Sequence, residues 1–217
     1  LRTLAICLMV IFHFVYDLDH YTALKVDVTD PWWTVVGRAA AILFMVISGV
    51  SNGFSRRPIR RGLKVLGWGM VVTLATFIVM PETYVRFGIL HFLGISMILY
   101  PLVRRLSPLA ISALCVLSFV TGYLIRNTVL PFPWLLPLGI SYPGFATIDY
   151  YPLFPYLGFS FLGILGYKLF YGKGKRLFPR LVLFPEVAWV SRNSLGIYLI
   201  HQPVLLAAIF LVQHFLA

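Results

Sequence analysis

The chain has 217 residues, of which 60% are hydrophobic and only 12% charged, and its mean hydropathy is +0.89. A soluble globular domain is usually about half apolar and a quarter charged, so this composition excludes an ordinary water-soluble globule and predicts that lipid surrounds much of the chain. The formal net charge of +11 would suggest nucleic acid in a soluble protein, but these cations fall between apolar runs, and we expect no nucleic-acid partner.

Seven apolar runs are long enough to cross the hydrocarbon core of a bilayer as helices, which takes about 17–25 residues each. In chain order we predict spans at residues 2–19, 32–54, 63–80, 87–104, 108–125, 152–171 and 193–216. The stretch 126–151, rich in proline, glycine and aromatic residues, is predicted to lie along the membrane interface. The expected fold is an all-α polytopic transmembrane helix bundle of about seven spans, forming a single domain over residues 1–217.

The first run follows Arg2, as a signal peptide would, but no small-residue cleavage site comes after it and it carries His13 and Asp17. We therefore interpret it as a retained transmembrane helix. Because no initiator methionine is present, we expect that further residues once preceded it.

Basic residues alternate between the two sides of the membrane. With seven spans, one set of loops and adjoining helix ends contains Arg56, Arg57, Arg60, Arg61, Lys64, Arg104, Arg105, Lys173, Lys175, Arg176 and Arg180. The other set contains Lys25, Arg86 and Arg126 and most of the acidic residues. The positive-inside rule therefore predicts a cytoplasmic N-terminus and an extracytoplasmic C-terminus. We expect a multi-pass protein of the plasma membrane.

The first span carries polar residues at helical spacing. His13, Tyr16, Asp17 and His20 stand at i, i+3, i+4 and i+7, which places them on one face. Such residues at membrane depth usually face the protein interior, where function lies. A carboxylate one turn from His13 would orient its imidazole. A polar patch that only stabilises helix packing is the alternative.

Other titratable residues are predicted to lie in the same outer half of the bilayer: Arg38, His91 and Asp149. His201 and Gln202 lie near the middle of the last span, just before Pro203. His201 is interpreted equally as a packing residue or as part of the chemistry. His214 is predicted to be interfacial and has no role.

The second span contains Gly49 and Gly53, a pair of small residues four apart that is typical of close helix packing. The basic residues that follow it, at positions 56–64, have two interpretations. They could set topology and contact anionic lipid, or they could bind a phosphorylated cofactor. Cys7 and Cys115 lie inside apolar runs and predict neither a disulfide nor a metal site.

Five segments, in order, are similar to one family of membrane enzymes. They are residues 2–14, 44–51 (FMVISGVS), 87–94 (FGILHFLG), 149–158 (DYYPLFPYLG) and 194–205 (SLGIYLIHQPVL). The chain thereby resembles the heparan-α-glucosaminide N-acetyltransferase catalytic-domain family and its bacterial relatives. Its last segment is also similar to the terminal helix of the broader transmembrane acyltransferase superfamily. One departure is Thr3, where the family usually has glycine.

This resemblance implies a transmembrane acetyltransferase that takes acetyl from cytoplasmic acetyl-CoA and modifies a sugar amine or hydroxyl at the extracytoplasmic face. It implies a reactive histidine, His13 or His20, acting as a base or through an acetyl-imidazole. Asp17 would orient His13, and Arg38 or a protonated His91 would stabilise the oxyanion.

The remaining predicted contacts follow from the same resemblance. The phosphates of acetyl-CoA would bind Arg56, Arg57, Arg60, Arg61 and Lys64. The glycan or amino-sugar acceptor would contact Asp149, His201 and Gln202. The expected partners are acetyl-CoA, this acceptor, membrane lipid and, by resemblance, a second copy of the chain; no metal is expected.

Two other functions compete with acetyl transfer. A proton-coupled transporter of a small solute could use the His/Asp stripe as a relay, although no internal repeat is visible. A non-enzymatic membrane scaffold would use the polar residues only to hold helices together.

Overall fold

A computed structural model describes residues 1–24, 26–28, 30–172 and 184–216. Within these ranges the chain forms eight α-helices, one short 3-10 helix (Pro133–Leu138), one π-helical turn (Tyr167–Tyr171) and no sheet. The helices are α1 (Arg2–Tyr21), α2 (Pro31–Gly53), α3 (Pro58–Val79), α4 (Ile89–Val103), α5 (Pro108–Ile125), α6 (Leu153–Gly166), α7 (Pro185–Arg192) and α8 (Ser194–Leu216). Lys25, Lys173, Lys175, Arg176 and Arg180, which the predicted orientation uses, lie outside the described residues.

Six of the predicted spans are helices long and apolar enough to cross a membrane: α1, α2, α3, α5, α8, and α6 together with the π-helical turn Tyr167–Tyr171. The predicted all-α polytopic membrane fold is confirmed. The run predicted as a span at 87–104 forms α4, which has 15 residues and a length of about 22 Å. It is therefore shorter than the roughly 30 Å hydrocarbon core. The orientation of the chain in the membrane stays a prediction.

Several helices begin at a proline, which has no N–H, or after a residue whose side chain caps the helix. Proline occupies the first position of α2, α3, α5 and α7, where its missing N–H costs nothing and its fixed φ suits a helix. Ahead of α5, Ser107 Oγ accepts a hydrogen bond of 3.2 Å from the Ala110 N–H. Ahead of α2, Asp30 Oδ1 accepts one of 2.8 Å from the Trp32 N–H.

The chain divides into two compact units. The terminal unit comprises residues 1–44 and 178–217, and the central unit comprises residues 45–177. Each is described by itself below, and the single domain predicted for residues 1–217 stays a prediction.

In the terminal unit, α1 packs against α7 and α8. The Thr3 hydroxyl donates a hydrogen bond of 3.0 Å to the Val187 carbonyl, which ties the start of α1 to α7. At the other end of α1, Gln213 Nε2 donates one of 2.6 Å to the Tyr21 carbonyl. The first half of α1 is thus tied to α7, and its second half lies beside α8, the last predicted span.

In the central unit, α3 packs along α4, and α5 along α6. Ser118 on α5 donates a hydrogen bond of 3.0 Å to the Pro155 carbonyl and accepts one from the Gly158 N–H. The hydroxyls of Ser96 on α4 and Ser160 on α6 bond to each other. Each of these buried hydroxyls therefore has a hydrogen-bond partner, as an apolar environment requires.

Close packing by the small residues of α2 is confirmed. A Cβ added to Gly49 would lie 2.2 Å from the Ser160 carbonyl oxygen, and one added to Gly163 would lie 2.1 Å from the Val46 carbonyl oxygen. Real Cβ atoms do not approach so closely, so the backbones of α2 and α6 touch only because both positions are glycine.

Residues 126–151 do not form a span but fold against the α3–α4 connection. The Ile148 N–H donates a hydrogen bond of 2.8 Å to the Thr83 carbonyl, and the Tyr151 N–H donates one of 3.0 Å to the Phe87 carbonyl. The segment is thus held by backbone hydrogen bonds at the N-terminal end of α4.

Candidate active site

The main polar cluster of the terminal unit lies where α1 meets α8. His13 and Asp17 stand one turn apart on α1, and Asp17 is fully buried. From α8, Gln202 Nε2 donates a hydrogen bond of 2.7 Å to Asp17 Oδ1. The His201 ring packs edge-on against the His13 ring, with 4.8 Å between centroids. The structure therefore brings four of the predicted site residues together.

The hydrogen bonds of the two histidines fix which ring nitrogen carries the proton. His13 Nδ1 lies 2.9 Å from the Met9 carbonyl oxygen, and His201 Nδ1 lies 2.6 Å from the Tyr198 carbonyl oxygen. A carbonyl oxygen only accepts, so Nδ1 must be the protonated nitrogen in both rings. In the neutral rings each Nε2 is then left with a free lone pair. His13 Nε2 is consequently suited to accept a proton.

Three buried atoms of this cluster have no hydrogen-bond partner among the described residues: Asp17 Oδ2, Gln202 Oε1 and His201 Nε2. All three atoms are hydrogen-bond acceptors. Gln202 Oε1 is an amide oxygen, Asp17 Oδ2 accepts when the carboxyl is ionised, and His201 Nε2 accepts in the tautomer derived above. An unpaired buried polar atom is costly. A molecule that satisfied this cluster would therefore have to donate hydrogens, as hydroxyl and amine groups do.

His20 lies outside the cluster. Its side chain is exposed, its Nδ1 is 3.1 Å from the Tyr16 carbonyl oxygen, and its ring stacks on the Tyr16 ring at 4.0 Å. Its nearest carboxylate is Asp19, at 3.6 Å. The stripe predicted on α1 thus has a buried part that meets α8 and an exposed part at the helix end.

Arg38, on the part of α2 that belongs to the terminal unit, is exposed. Its guanidinium makes no hydrogen bond or ion pair with the described residues. Its predicted role in stabilising the oxyanion stays a prediction.

His91 lies in the central unit, buried at the start of α4, and both of its ring nitrogens are used. The Gly88 N–H donates a hydrogen bond of 3.2 Å to Nδ1. Nε2 lies 3.3 Å from Thr73 Oγ1, and that hydroxyl itself donates to the Val85 carbonyl. His91 Nε2 is therefore the donor to Thr73. This arrangement indicates that His91 joins α3 to α4, and its predicted catalytic role stays a prediction.

Asp149, like His91, accepts a hydrogen bond from a backbone N–H at the start of α4. Its Oδ2 accepts a hydrogen bond of 3.0 Å from the Ile89 N–H, in the manner of a helix cap. Burial raises the pKa of the Asp149 carboxyl to about 6, against the opposing effect of that hydrogen bond. The predicted contact of Asp149 with an acceptor stays a prediction.

The basic residues predicted to bind a cofactor divide into two groups. Arg56, Arg57 and Arg60 line one cavity of about 470 Å³, together with Arg104 from the end of α4. The lining of this cavity does not include Arg61 or Lys64. Within the described residues, no group of three or more His, Cys, Asp or Glu side chains could hold a metal ion.

The model of the heparan-alpha-glucosaminide N-acetyltransferase catalytic family matches residues 1–203 of the chain. The chain belongs to this family. Together with the six apolar helices, the match identifies a multi-pass membrane acetyltransferase. No curated protein and no solved structure matches the chain.

The family match covers every residue of the α1–α8 cluster, since it extends from the first residue to Pro203. The family model thus covers the parts of α1 and α8 that form the cluster. Gln202, predicted to contact the acceptor, donates its amide N–H to Asp17, and its contact with the acceptor stays a prediction. Sequence reasoning counted Arg104 only as a loop charge. Arg104 could have been found from its position in the chain. If α4 runs back along α3, the residue that follows α4 lies beside the basic start of α3.

Proposed function

We propose that this family member is an acetyl-CoA-dependent acetyltransferase of the plasma membrane that acetylates an amine or hydroxyl of a glycan or amino-sugar acceptor at the extracytoplasmic face. The observation that carries the proposal is the set of unpaired acceptor atoms around His13. An acceptor amine or hydroxyl can donate to these atoms, whereas a phosphate or carboxylate would be repelled by Asp17.

In the proposed reaction, His13 Nε2 removes the proton from the acceptor nitrogen or oxygen as that atom bonds to the thioester carbonyl carbon. The carbon–sulfur bond then breaks, and the imidazolium returns its proton to the departing thiolate. Asp17, one turn from His13 and held by Gln202, stabilises the imidazolium that forms in between. A two-step route through an acetyl-imidazole would need the same free Nε2.

Arg38 is proposed as the cation that stabilises the oxyanion, because it belongs to the same unit as His13 and has no partner among the described residues. His201 is proposed to contact the acceptor through its unpaired Nε2. The acetyl-CoA phosphates are proposed to bind at the basic start of α3. The cavity lined by Arg56, Arg57, Arg60 and Arg104 supports this assignment, since guanidinium groups are suited to phosphate.

The test is acetyl transfer from radiolabelled acetyl-CoA by the purified protein to a panel of amino sugars and neutral glycans. His13→Gln should abolish the transfer, because the glutamine amide cannot remove the proton from the acceptor. His214→Gln is the matched control, since His214 is an exposed histidine near the end of α8 and should leave activity unchanged. Full activity of His13→Gln would refute the proposal. Solute uptake into proteoliposomes without acetyl transfer would favour a transporter.

A further inference from the structure

One face of α5 is apolar and exposed along the second half of the helix. The opposite face is buried in the central unit, through Ile111, Cys115, Ser118 and Gly122. The exposed face, which we call the α5 stripe, contains residues that are each between 47% and 70% exposed: Val116, Leu117, Val120, Tyr123 and Leu124. Their spacing of three and four residues places them on one side of the helix.

The α5 stripe has the dimensions of one leaflet of a bilayer. The helix has 18 residues and is among those long and apolar enough to cross a membrane. From Val116 to Leu124 the helix rises about 12 Å, and each leaflet contributes roughly 15 Å of the hydrocarbon core. An acyl chain is therefore the surface that matches the stripe in both length and polarity.

A guanidinium group lies at the end of the α5 stripe. Arg126 follows α5 directly and is exposed, and its Cζ lies 4.2 Å from the centroid of the Tyr123 ring. This cation–π contact holds the planar group over the last turn of the helix. Arg126 makes no ion pair with the described residues. Its charge is therefore available to an anion from outside the protein.

The segment that follows Arg126 is typical of a membrane boundary. Phe132 and Trp134 are exposed, at 41% and 70%, and their rings contact each other with 5.1 Å between centroids. The 3-10 helix that contains Trp134 is anchored by a hydrogen bond of 2.7 Å from the Tyr150 hydroxyl to the Leu136 carbonyl. Tryptophan is enriched at the level of lipid headgroups, which indicates that the end of α5 lies at that level.

We propose that Arg126 and the α5 stripe bind an anionic phospholipid, whose acyl chain lies along the stripe and whose phosphate accepts hydrogen bonds from the Arg126 guanidinium. Forked guanidinium groups bind phosphate oxygens in pairs. The negative charge of the headgroup is complementary to the unpaired charge of Arg126, whereas a phosphocholine headgroup carries its own cation, which offsets the attraction. The site uses none of the residues assigned above to acetyl transfer.

Titration followed by native mass spectrometry measures this binding on the purified full chain in neutral detergent. Arg126→Gln should bind phosphatidylglycerol about tenfold more weakly than the wild type, through loss of a charge-assisted contact. Phosphatidylcholine with the same acyl chains should bind the wild type more weakly than phosphatidylglycerol does. Arg105→Gln is the matched control, because Arg105 is an exposed arginine that precedes the other end of α5. Equal weakening by the two substitutions, or equal binding of the two lipids, would overturn the inference.

Cross-linking locates the acyl chain. In phosphatidylcholine vesicles that contain phosphatidylglycerol with a diazirine in its acyl chain, illumination should label residues 116–124 of the wild type more than those of Arg126→Gln. Residues 70–78 of α3, whose exposed face is also apolar, should be labelled equally in both proteins. Equal labelling of residues 116–124 in both would overturn the inference. Efficient disulfide dimerisation of Val120→Cys in a Cys7→Ser background would show that a second copy of the chain covers the stripe, and would also overturn it.

Discussion

Gln202 on the last helix donates a hydrogen bond of 2.7 Å to Asp17 on the first helix, across a separation of 185 residues. This bond occupies one carboxylate oxygen and leaves the other, Asp17 Oδ2, without a partner among the described residues. The amide therefore fixes the carboxylate one turn from His13 and determines which of its two oxygens is left unpaired.

Replacement of Gln202 by Met should lower kcat about tenfold or more, because an apolar side chain of similar length cannot hold the Asp17 carboxylate. The KM for acetyl-CoA should change little, since the substitution lies far along the chain from the basic cavity residues and in the other unit. Steady-state kinetics with a fixed acceptor measures both quantities. A large increase in this KM with unchanged kcat would contradict the positioning role.

Gln213→Met is the control for a merely structural tie. Gln213 is on the same helix and also bonds to α1, through the Tyr21 carbonyl, but it contacts none of the cluster residues in that bond. Both substitutions should lower the thermal unfolding midpoint by a similar few degrees. Only Gln202→Met should lower kcat substantially. If both lower kcat equally, Gln202 acts through helix packing alone.

Asp17→Asn should lower kcat about tenfold or more, because the neutral amide cannot stabilise the imidazolium that His13 forms in the proposed reaction. The asparagine carbonyl can still accept from Gln202, so the α1–α8 bond remains and the fold should be unaffected. Acetyl transfer and thermal unfolding of the same preparation test both statements. An unfolding midpoint that drops with the activity would indicate that Asp17 is mainly a packing residue.

Asp149 should make the stability of the protein depend on pH. Burial raises its pKa to about 6, above the value of 3.8 for an ordinary aspartate. A carboxyl with a raised pKa in the folded state stabilises the fold most at pH values below its unfolded pKa, and that contribution is lost as the pH rises through about 6. The expected loss is on the order of 3 kcal/mol.

Asp149→Asn isolates this effect, because the amide oxygen can still accept from the Ile89 N–H but cannot ionise. Thermal unfolding of both proteins should be followed from about pH 4 to about pH 7. The midpoint of the wild type should fall relative to that of Asp149→Asn across this range. Parallel curves would show that Asp149 does not titrate within it.

Hydropathy and turn residues were sufficient to predict most of the helices, because each span is a local property of the chain. The exception is the run at 87–104, which begins as a helix only at Ile89. Phe87 instead pairs with residues 150 and 151 through backbone contacts. That pairing joins segments more than 60 residues apart, so no local pattern could reveal it.

The candidate site likewise has a part that the sequence predicts and a part that it does not. The placement of His13 and Asp17 on one face follows from helix geometry, and the sequence therefore predicts it. That Gln202 and His201 meet this face depends on α8 packing against α1, which no spacing in the sequence encodes. Likewise, a histidine at membrane depth indicated chemistry at His91, whereas its hydrogen bonds to Gly88 and Thr73 become visible only in three dimensions.

The contact between α2 and α6 provides a paired test of packing in the central unit. Gly49→Ala should destabilise the protein by several kcal/mol, because the new Cβ would lie 2.2 Å from the Ser160 carbonyl oxygen and 3.0 Å from Gly163 Cα. The two backbones would have to separate. Gly67→Ala, in the middle of α3, has no atom within 4 Å of the added Cβ and should stabilise the protein by about 0.5–1 kcal/mol through helix propensity. Thermal unfolding in one detergent measures both. A midpoint for Gly49→Ala at or above that of Gly67→Ala would contradict the close contact of α2 with α6.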